Sequence, residues 1–314
     1  MSDVLIVDPG GPGGPDGPSG SGPSEDDERR LLEITISPSR RIRNRLATLW
    51  MAGSFVVVII PLGFIVGYVI AKGLSVMSVD WFTKPLAIIS SQPGGGMAPA
   101  IVGTIVITFW ATAMAVPLGV LGAIYLHEYG GKGSLARVIR FMSDVMTGVP
   151  SIVMGLFIYT IWTLRFGLSG FAGSLALACL MLPIVIRSTE EMLRLVPDDL
   201  RMASYALGNR KWRTVLTVVL PAAVGGIVSG VMLAVARAAG ETAPLLCLIG
   251  ASRAVNWNAF SGVNSALSMQ IFSNASTPFA VAQDRAWGAA LTLVALILIL
   301  NIVARFFSRR SRVA

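Results

Sequence analysis

Two pairs of opposite charges sit in stretches that are otherwise apolar. Arg237 and Glu241 lie inside the run Ala234-Val-Ala-Arg237-Ala-Ala-Gly-Glu241-Thr-Ala-Pro-Leu-Leu246, and Arg187 and Glu190 close the run that begins at Gly170. A charge near the middle of a bilayer costs about 3 kcal/mol or more, so it needs a partner or a purpose. The spacing of Arg237 and Glu241 puts them on one face of a helix, as does the slightly tighter spacing of Arg187 and Glu190. Two readings are open for each pair: an ion pair that locks helices together, or a polar wall of a path for a charged substrate. For Arg187 a third is open, an arginine that reaches back to the membrane surface from a span end. The stretch from Gly170 to Ile186 is too short to cross about 30 Å at about 1.5 Å per residue. Its helix is therefore expected to continue through Glu190.

Between these pairs runs a polar interruption, about residues 187–221, that the rest of the chain is built around. Pro197 should end the helix entering it. Asp198 and Asp199 can then cap a new helix from about Leu200, with Leu200, Ala203, Ala206 and Leu207 as its apolar stripe. Gly208-Asn209 reads as a left-handed helix stop. Arg210, Lys211 and Arg213 open a second amphipathic piece carrying Trp212, Val215, Leu216 and Val219, which closes at Leu220-Pro221. Two short helices joined at a glycine make a knob that a soluble partner could grip; the plainer reading is a solvated loop.

The elements that must hold these residues are membrane spans. Of the 314 residues 54% are hydrophobic and 13% charged, and the mean hydropathy is +0.71, whereas a soluble domain averages roughly a quarter charged. Spans of about 20 residues are expected at Leu46–Ala71, Pro99–Leu126, Phe141–Leu164, Gly170–Ile186, Pro221–Ile249 and Ala286–Phe307, six in all. Basic residues cluster before the first span (Arg40, Arg41, Arg43, Arg45), at Lys132, Arg137 and Arg140, in the central interruption, and in the tail at Arg305, Arg309, Arg310 and Arg312. With six spans all four clusters fall on one side, which predicts a multi-pass protein with both termini in the cytoplasm. Residues 1–39 form a tail whose Gly-, Pro- and acid-rich first part should be disordered, leaving 40–314 as one transmembrane domain. Gly63 with Gly67 and Gly226 with Gly230 read as helix-packing pairs. Pro61, Pro117 and Pro183 are tolerable span prolines. His127 and Glu128 read as interfacial. The long loops 72–98 and 250–285, with Trp81, Trp257, Asn256 and Asn264, fit either docking of an outside partner or anchoring at the membrane surface.

Several functions are excluded. The net charge of +8 sits at span ends, not on a nucleic-acid-binding face. Cys179 and Cys247 fall in apolar runs, and no metal spacing, catalytic triad or paired carboxylates can be read. Gly130-Gly131-Lys132 lacks the phosphate-loop spacing. The chain itself should be no enzyme and hold no metal or cofactor.

The central interruption resembles the coupling loop of bacterial ABC importer permeases: Met202-Ala203-Ser204 stands at their Glu-Ala-Ala, followed by Gly208 and Leu220-Pro221. Met202 replaces the family's Glu, so Asp198, Asp199, Arg210 or Lys211 would carry the contact with the ATPase. A more specific likeness, from about Arg40 to Arg305, is to the A-type permease subunit of phosphate ABC importers. It rests on Arg187-Ser-Thr-Glu190, Arg237 with Gly240-Glu241-Thr242, Ala115-Val-Pro-Leu-Gly119, Tyr125-Leu-His-Glu-Tyr129, Thr147-Gly-Val-Pro-Ser151 and Trp287-Gly-Ala-Ala-Leu291. The resemblance implies an all-α, six-helix type I (MetI-like) permease fold in a bacterial plasma membrane. It also implies pairing with a C-type permease, two ATP-binding subunits that use ATP and Mg²⁺, and an extracytoplasmic phosphate-binding protein. Arg187, Glu190 and Arg237, with Glu241 beside them, would line the phosphate path. The alternatives are a permease for molybdate or sulfate, or a channel or secondary transporter working alone. For the topology, cysteines engineered at positions 20 and 308 are expected to stay unmodified by a membrane-impermeant thiol reagent in intact cells; labelling of either overturns the six-span arrangement.

Overall fold

The computed structural model describes residues 38–131 and 133–310, so the tail expected to be disordered, Lys132 and Arg312 lie outside the described residues; Pro38 and Ser39, placed in that tail, instead begin a helix. In chain order the α-helices are α1 Pro38–Leu74, α2 Val79–Thr83, α3 Ala98–Ile124, α4 Ser134–Gly148, α5 Ser151–Ile158, α6 Leu164–Phe166, α7 Gly170–Arg194, α8 Asp198–Ala206, α9 Lys211–Thr214, α10 Leu220–Gly240, α11 Ala243–Leu248, α12 Leu267–Ala275 and α13 Ala280–Arg310. Single π-turns follow α3, α5 and α9, at Tyr125–Tyr129, Tyr159–Thr163 and Val215–Val219. No strand occurs among the described residues. The chain divides into two units at Gly63. The described part of the first is the N-terminal portion of α1, which presents exposed Leu49, Trp50, Phe55 and Val57, a composition suited to lipid. All else belongs to the second unit.

Among the described residues five helices are long and apolar enough to cross a membrane, six if one bent pair is a single span. That pair corrects the expected third span, Phe141–Leu164, which begins earlier and is broken within. Helices α4 and α5 meet at 106°, because Pro150 pushes Val149 into extended backbone (φ −73°, ψ 127°). The fifth span is also corrected. It stops at Gly240 rather than running to Ile249: Pro244, in the first turn of α11, cannot donate to the carbonyl four residues back, and Glu241 turns extended (φ −69°, ψ 131°). Conversely, the chain does not break at Pro221. Residues Lys211–Gly240 form one continuous span, and the wider π-turn just before Pro221 accommodates a ring that would otherwise break the helix. Pro61, Pro117 and Pro183 all lie inside helices.

The core of the second unit is α3, α7 and α10 packed through small residues. Ala111, Ala115, Ala172, Ala176, Ala223, Ala234 and Ala238 are buried in it. A Cβ on Gly119 would lie 2.7 Å from Val185, and a Cβ on Gly173 would lie 2.6 Å from Ile249. Gly226 and Gly230 pack against Met192 and Ser188 of α7, as expected of a small-residue pair, so α7 and α10 run antiparallel with their backbones close. Gly63 and Gly67, by contrast, face open space. Without a hydrophobic driving force in lipid, such close approach is what holds helices together.

The long loops are built rather than loose. Trp81 is 2% exposed, and its indole N–H donates to Thr292 Oγ1 at 2.9 Å, so it neither docks a partner nor anchors at a surface. Asn264, 1% exposed, accepts from the Gly170 amide at 3.0 Å and donates to the Asn256 carbonyl at 3.1 Å. It staples the start of α7 to the 250–266 loop. Trp257 remains exposed.

Candidate functional site

The four charges singled out in the sequence do not form two self-contained pairs. Helix α7 continues through Glu190, as its length required, but Arg187 and Glu190 each turn to α4. Arg187 pairs with Asp144. Glu190 accepts two hydrogen bonds from Arg140, at 3.1 and 2.8 Å, and Arg140 also donates to the Leu126 carbonyl at 3.1 Å. The first arm of the bent third span thus carries the counter-charges. Their partnership could not be read from spacing, because the bend at Val149-Pro150 is what directs α4 across α7.

Arg237 and Glu241 keep their pairing, with Nε to Oε1 at 3.7 Å, although Glu241 lies past the helix end and not on the same helical face. The Arg237 side chain is 68% exposed and that of Glu241 only 20%. One loose carboxylate contact leaves most guanidinium donors free, so this pair locks no helices together. Exposed Ser229, Leu233 and Arg237 share one face of α10. Gly230 sits opposite Ser188, and the rise from Gly230 to Arg237 at about 1.5 Å per residue places Arg237 roughly 10 Å beyond Arg187 along the bundle. The two arginines therefore stand at different heights along the bundle and do not converge on one point.

The central interruption folds as a helix, a turn and the start of the fifth span. Pro197 occupies the N-cap of α8 with no side-chain cap bond, so Asp198 and Asp199 sit in the first turn, where they favour the helix electrostatically and do not cap it. The burial of α8 is inverted relative to a soluble helix. Its buried residues are Arg201 and Ser204, whereas Leu200, Met202, Tyr205 and Leu207 are exposed. Arg201 donates to the carbonyls of Leu193 (3.0 Å) and Val196 (2.7 Å), to Asp198 Oδ1 (2.9 Å) and to Glu128 Oε1 (3.3 Å). His127 Nε2 stands 3.3 Å from the same guanidinium. Lys211 donates to the Glu128 carbonyl and lies over the Tyr129 ring at 5.0 Å. Arg201 thus satisfies the last carbonyls of α7 and ties α8 to the π-turn that ends α3. His127 and Glu128 serve this joint; an interfacial role did not foresee it.

Of the residues expected at a partner contact, Asp199, Met202, Ala203 and Arg210 are exposed. Ser204 is buried and hydrogen-bonded to Thr214 at 2.9 Å, and Lys211 is engaged as above. Asp198 is exposed but bound to Arg201. Gly208 has φ +79°, with the Gly208 amide donating to the Tyr205 carbonyl (2.9 Å) and the Asn209 amide to Ser204 (3.2 Å), the left-handed stop read from the sequence. Among the described residues no group of His, Cys, Asp and Glu could hold a metal ion.

Residues 115–313 match the family of binding-protein-dependent transport system inner membrane components. The phosphate transport system permease protein PstA of Mycobacterium leprae is 47% identical over 276 residues, 87% of this chain and 90% of that protein. PstA 1 of Mycobacterium tuberculosis (strain CDC 1551 / Oshkosh) is 46% identical over 280 residues, 87% of this chain and 92% of that protein. PstA of Yersinia pestis is 43% identical over 267 residues, 85% of this chain and 90% of that protein. Among solved structures, a chain of the inward-facing MetNI methionine ABC transporter aligns with a TM-score of 0.53 at 18% identity, covering 68% of this chain and 93% of its own length. A chain of a bacterial ABC transporter involved in the import of the acidic polysaccharide alginate aligns with a TM-score of 0.51 at 13% identity, covering 86% of this chain and 99% of its own. These two likenesses concern the fold, that of the type I importer permeases.

A Cβ on Gly208 would meet nothing within 4 Å, so substitution there tests the backbone alone. Gly208→Val is expected to cost about 1–2 kcal/mol locally and to expose residues 198–214 to faster hydrogen exchange, with membrane insertion intact. Gly208→Asn, which tolerates the left-handed region, should exchange nearly as wild type; equal protection in both variants would contradict the role of this turn.

Proposed function

Because the chain belongs to the binding-protein-dependent transport permeases and, within them, to the PstA phosphate transport permeases, we propose that it passes inorganic phosphate into the cell through a path that includes Arg237. The observation that carries this reading is the state of Arg237: a guanidinium on an apolar helix, mostly exposed and only loosely matched by Glu241. A guanidinium stays charged at any working pH and can donate two parallel hydrogen bonds to a phosphate. Glu241 tempers the positive field, which suits a transit site that must release its ion. Arg187 is the second station, nearer the coupling end, and a passing anion would compete there with Asp144. Glu190, held by Arg140, keeps α4 in register with that station. The anion is thus handed between two arginines, each already furnished with a carboxylate to return to.

The reading extends to partners. The chain works as one half of a permease with a C-type subunit, with a phosphate-binding protein on the outside and two ATP-binding subunits inside, where ATP and Mg²⁺ are used. Both termini and α8 face the cytoplasm of a bacterial cell. The exposed Leu200, Met202 and Leu207 then form an apolar grip on the ATPase where relatives of the wider family use an acidic residue, with Asp199 and Arg210 at its rim. Two features speak for phosphate over molybdate or sulfate: the named relatives are phosphate permeases along most of their length, and Arg237 and Arg187 stand in series.

In a strain relying on this chain, Arg237→Gln is expected to abolish uptake of radiolabelled phosphate while the assembled complex is still recovered with its ATPase. Arg237→Lys should keep the charge and lose much of the rate, since a lysine cannot make the bidentate contact. Arg187→Gln should also impair uptake. An Arg237→Gln complex that assembles and transports at the wild-type rate reduces the pair to a structural contact.

A further inference from the structure

A second basic site lies at the other end of the bundle. Helix α3 and its π-turn span Ala98–Tyr129; at about 1.5 Å per residue this separates the two ends by roughly 48 Å. The Tyr129 end meets Arg201 and the coupling helix. The Ala98 end opens on a cavity of about 160 Å³ whose polar lining comprises Ser90, Arg253, Gln270, Ser273, Asn274 and Arg285. Two arginines line it, and no acidic residue does. At roughly 30 Å³ per water, the volume holds about five waters, enough for a tetrahedral oxyanion.

The state of Arg285 singles this cavity out. The residue is 6% exposed. Its guanidinium donates to the carbonyls of Gly94 (3.2 Å) and Ser90 (2.5 Å). Its Nε is buried without a hydrogen-bond partner, and it forms no ion pair with a described carboxylate. A buried charge held by two neutral carbonyls is expensive unless something neutralises it. Clamping the 85–95 loop explains the two carbonyl bonds. It does not explain why the clamp is a full positive charge, nor why the remaining donor is left buried and unpaired. Two carboxylates, Asp80 and Asp284, line an adjoining cavity that Arg285 also borders, but Asp80 is taken by Lys84 at 2.6 Å and Asp284, next to Arg285 in the chain, makes no ion pair with it among the described residues. Arg253 contributes a second guanidinium, anchored by one long contact of 3.5 Å to the Ile88 carbonyl and otherwise exposed. Gln270 is held in place by Ser265 (3.1 Å) and by Asn274 (3.3 Å), so the floor of the cavity is ordered by its own bonds.

We propose that Arg253 and Arg285 form a binding site for a phosphate oxyanion on the face opposite the coupling helix, distinct from Arg237. Its role as an entry vestibule, receiving the anion before it reaches Arg237, rests on the phosphate-import reading above; its capacity to bind the anion does not. The Arg285 side chain gives the buried charge, Arg253 the mobile second donor, and Ser273 a hydroxyl at the rim. Such a site matches a charged ligand by bidentate donors in a low-dielectric wall. The same chemistry would accept the phosphodiester of an anionic lipid headgroup.

The test measures equilibrium binding of inorganic phosphate to the purified full-length chain in phosphatidylcholine nanodiscs. A background carrying both Arg187→Gln and Arg237→Gln removes the two path arginines from the signal. That protein is expected to bind phosphate, and adding Arg253→Gln or Arg285→Gln should weaken binding about tenfold or more, the loss of one charge-assisted hydrogen bond. Arg253 is an exposed side chain, so its replacement decides the matter even where Arg285→Gln disturbs the 85–95 loop. If binding competes with phosphatidylglycerol in the nanodisc, the occupant is a headgroup; if it is indifferent to lipid charge, the occupant is the free ion. Absence of phosphate binding in the double Arg187→Gln, Arg237→Gln background, or binding unchanged there by Arg253→Gln, overturns the site. Uptake by Arg237→Gln alone reports on the transport path and not on this cavity.

Discussion

One buried guanidinium makes the polar interruption of this chain into a mechanical part. Arg201 meets Glu128, itself only 5% exposed, at the point where α8, the end of α7 and the π-turn after α3 come together. Removing one partner from such a pair costs about 3–5 kcal/mol, because the other charge is then left buried and alone. The joint is therefore not a loop contact that can slip. It means that a displacement of α8 must carry the ends of α3 and α7 with it, and α7 carries Arg187 and Glu190. The exposed side of α8 is left apolar, with Leu207 83% exposed, free to be gripped from outside.

The other end of that lever is built on proximity. Gly226 and Gly230 bring α10 against α7, so a shift of α7 is felt by the helix that bears Arg237. Between the two lie a bent third span whose charges, Arg140 and Asp144, hold Glu190 and Arg187, and a fifth span unwound at Glu241. Unwound or broken helices at membrane depth are tolerated where they line a polar cavity or are buried in protein. Among the described residues the chain breaks at Val149-Pro150 and at Glu241-Thr242, and α11 after the second packs on α5 after the first, with Pro244 2.7 Å from where a Cβ of Gly155 would stand. The irregular backbone is concentrated beside the charges.

Much of this was legible in the residues because the forces are local. Apolar runs of bilayer length named the spans, the length deficit of Gly170–Ile186 foretold that α7 continues through Glu190, and Gly208 declared its positive φ. Prolines were only partly legible: Pro197 was read as a break, but Pro221, read as a stop, passes through a helix that a π-turn widens, and Pro150, not singled out, bends a span by 106°. What could not be read was pairing across helices. Arg140 with Glu190, Asp144 with Arg187 and Arg201 with Glu128 are separated by 50, 43 and 73 residues, and no spacing rule reaches that far. Arg201 did carry one signal in retrospect. It is a charged residue at a position that the stripe Leu200, Ala203 and Leu207 leaves on the opposite face, and in this helix it is that face which is buried. Trp81 was misread for a similar reason, since an aromatic in an outer loop suggests the membrane surface until Thr292 supplies its buried partner.

The central claim is that Arg201 makes α8 a lever rather than a tether. The most direct measurement is the number of phosphate ions moved per ATP hydrolysed by the reconstituted transporter, wild type against Arg201→Gln. The account predicts that the variant still assembles and hydrolyses ATP while the ratio collapses, because the contact proposed for an ATP-binding subunit lies on the exposed face of α8 and is left intact, whereas the joint to α3 and α7 is lost. A ratio equal to that of the wild type, with both rates preserved, would contradict it.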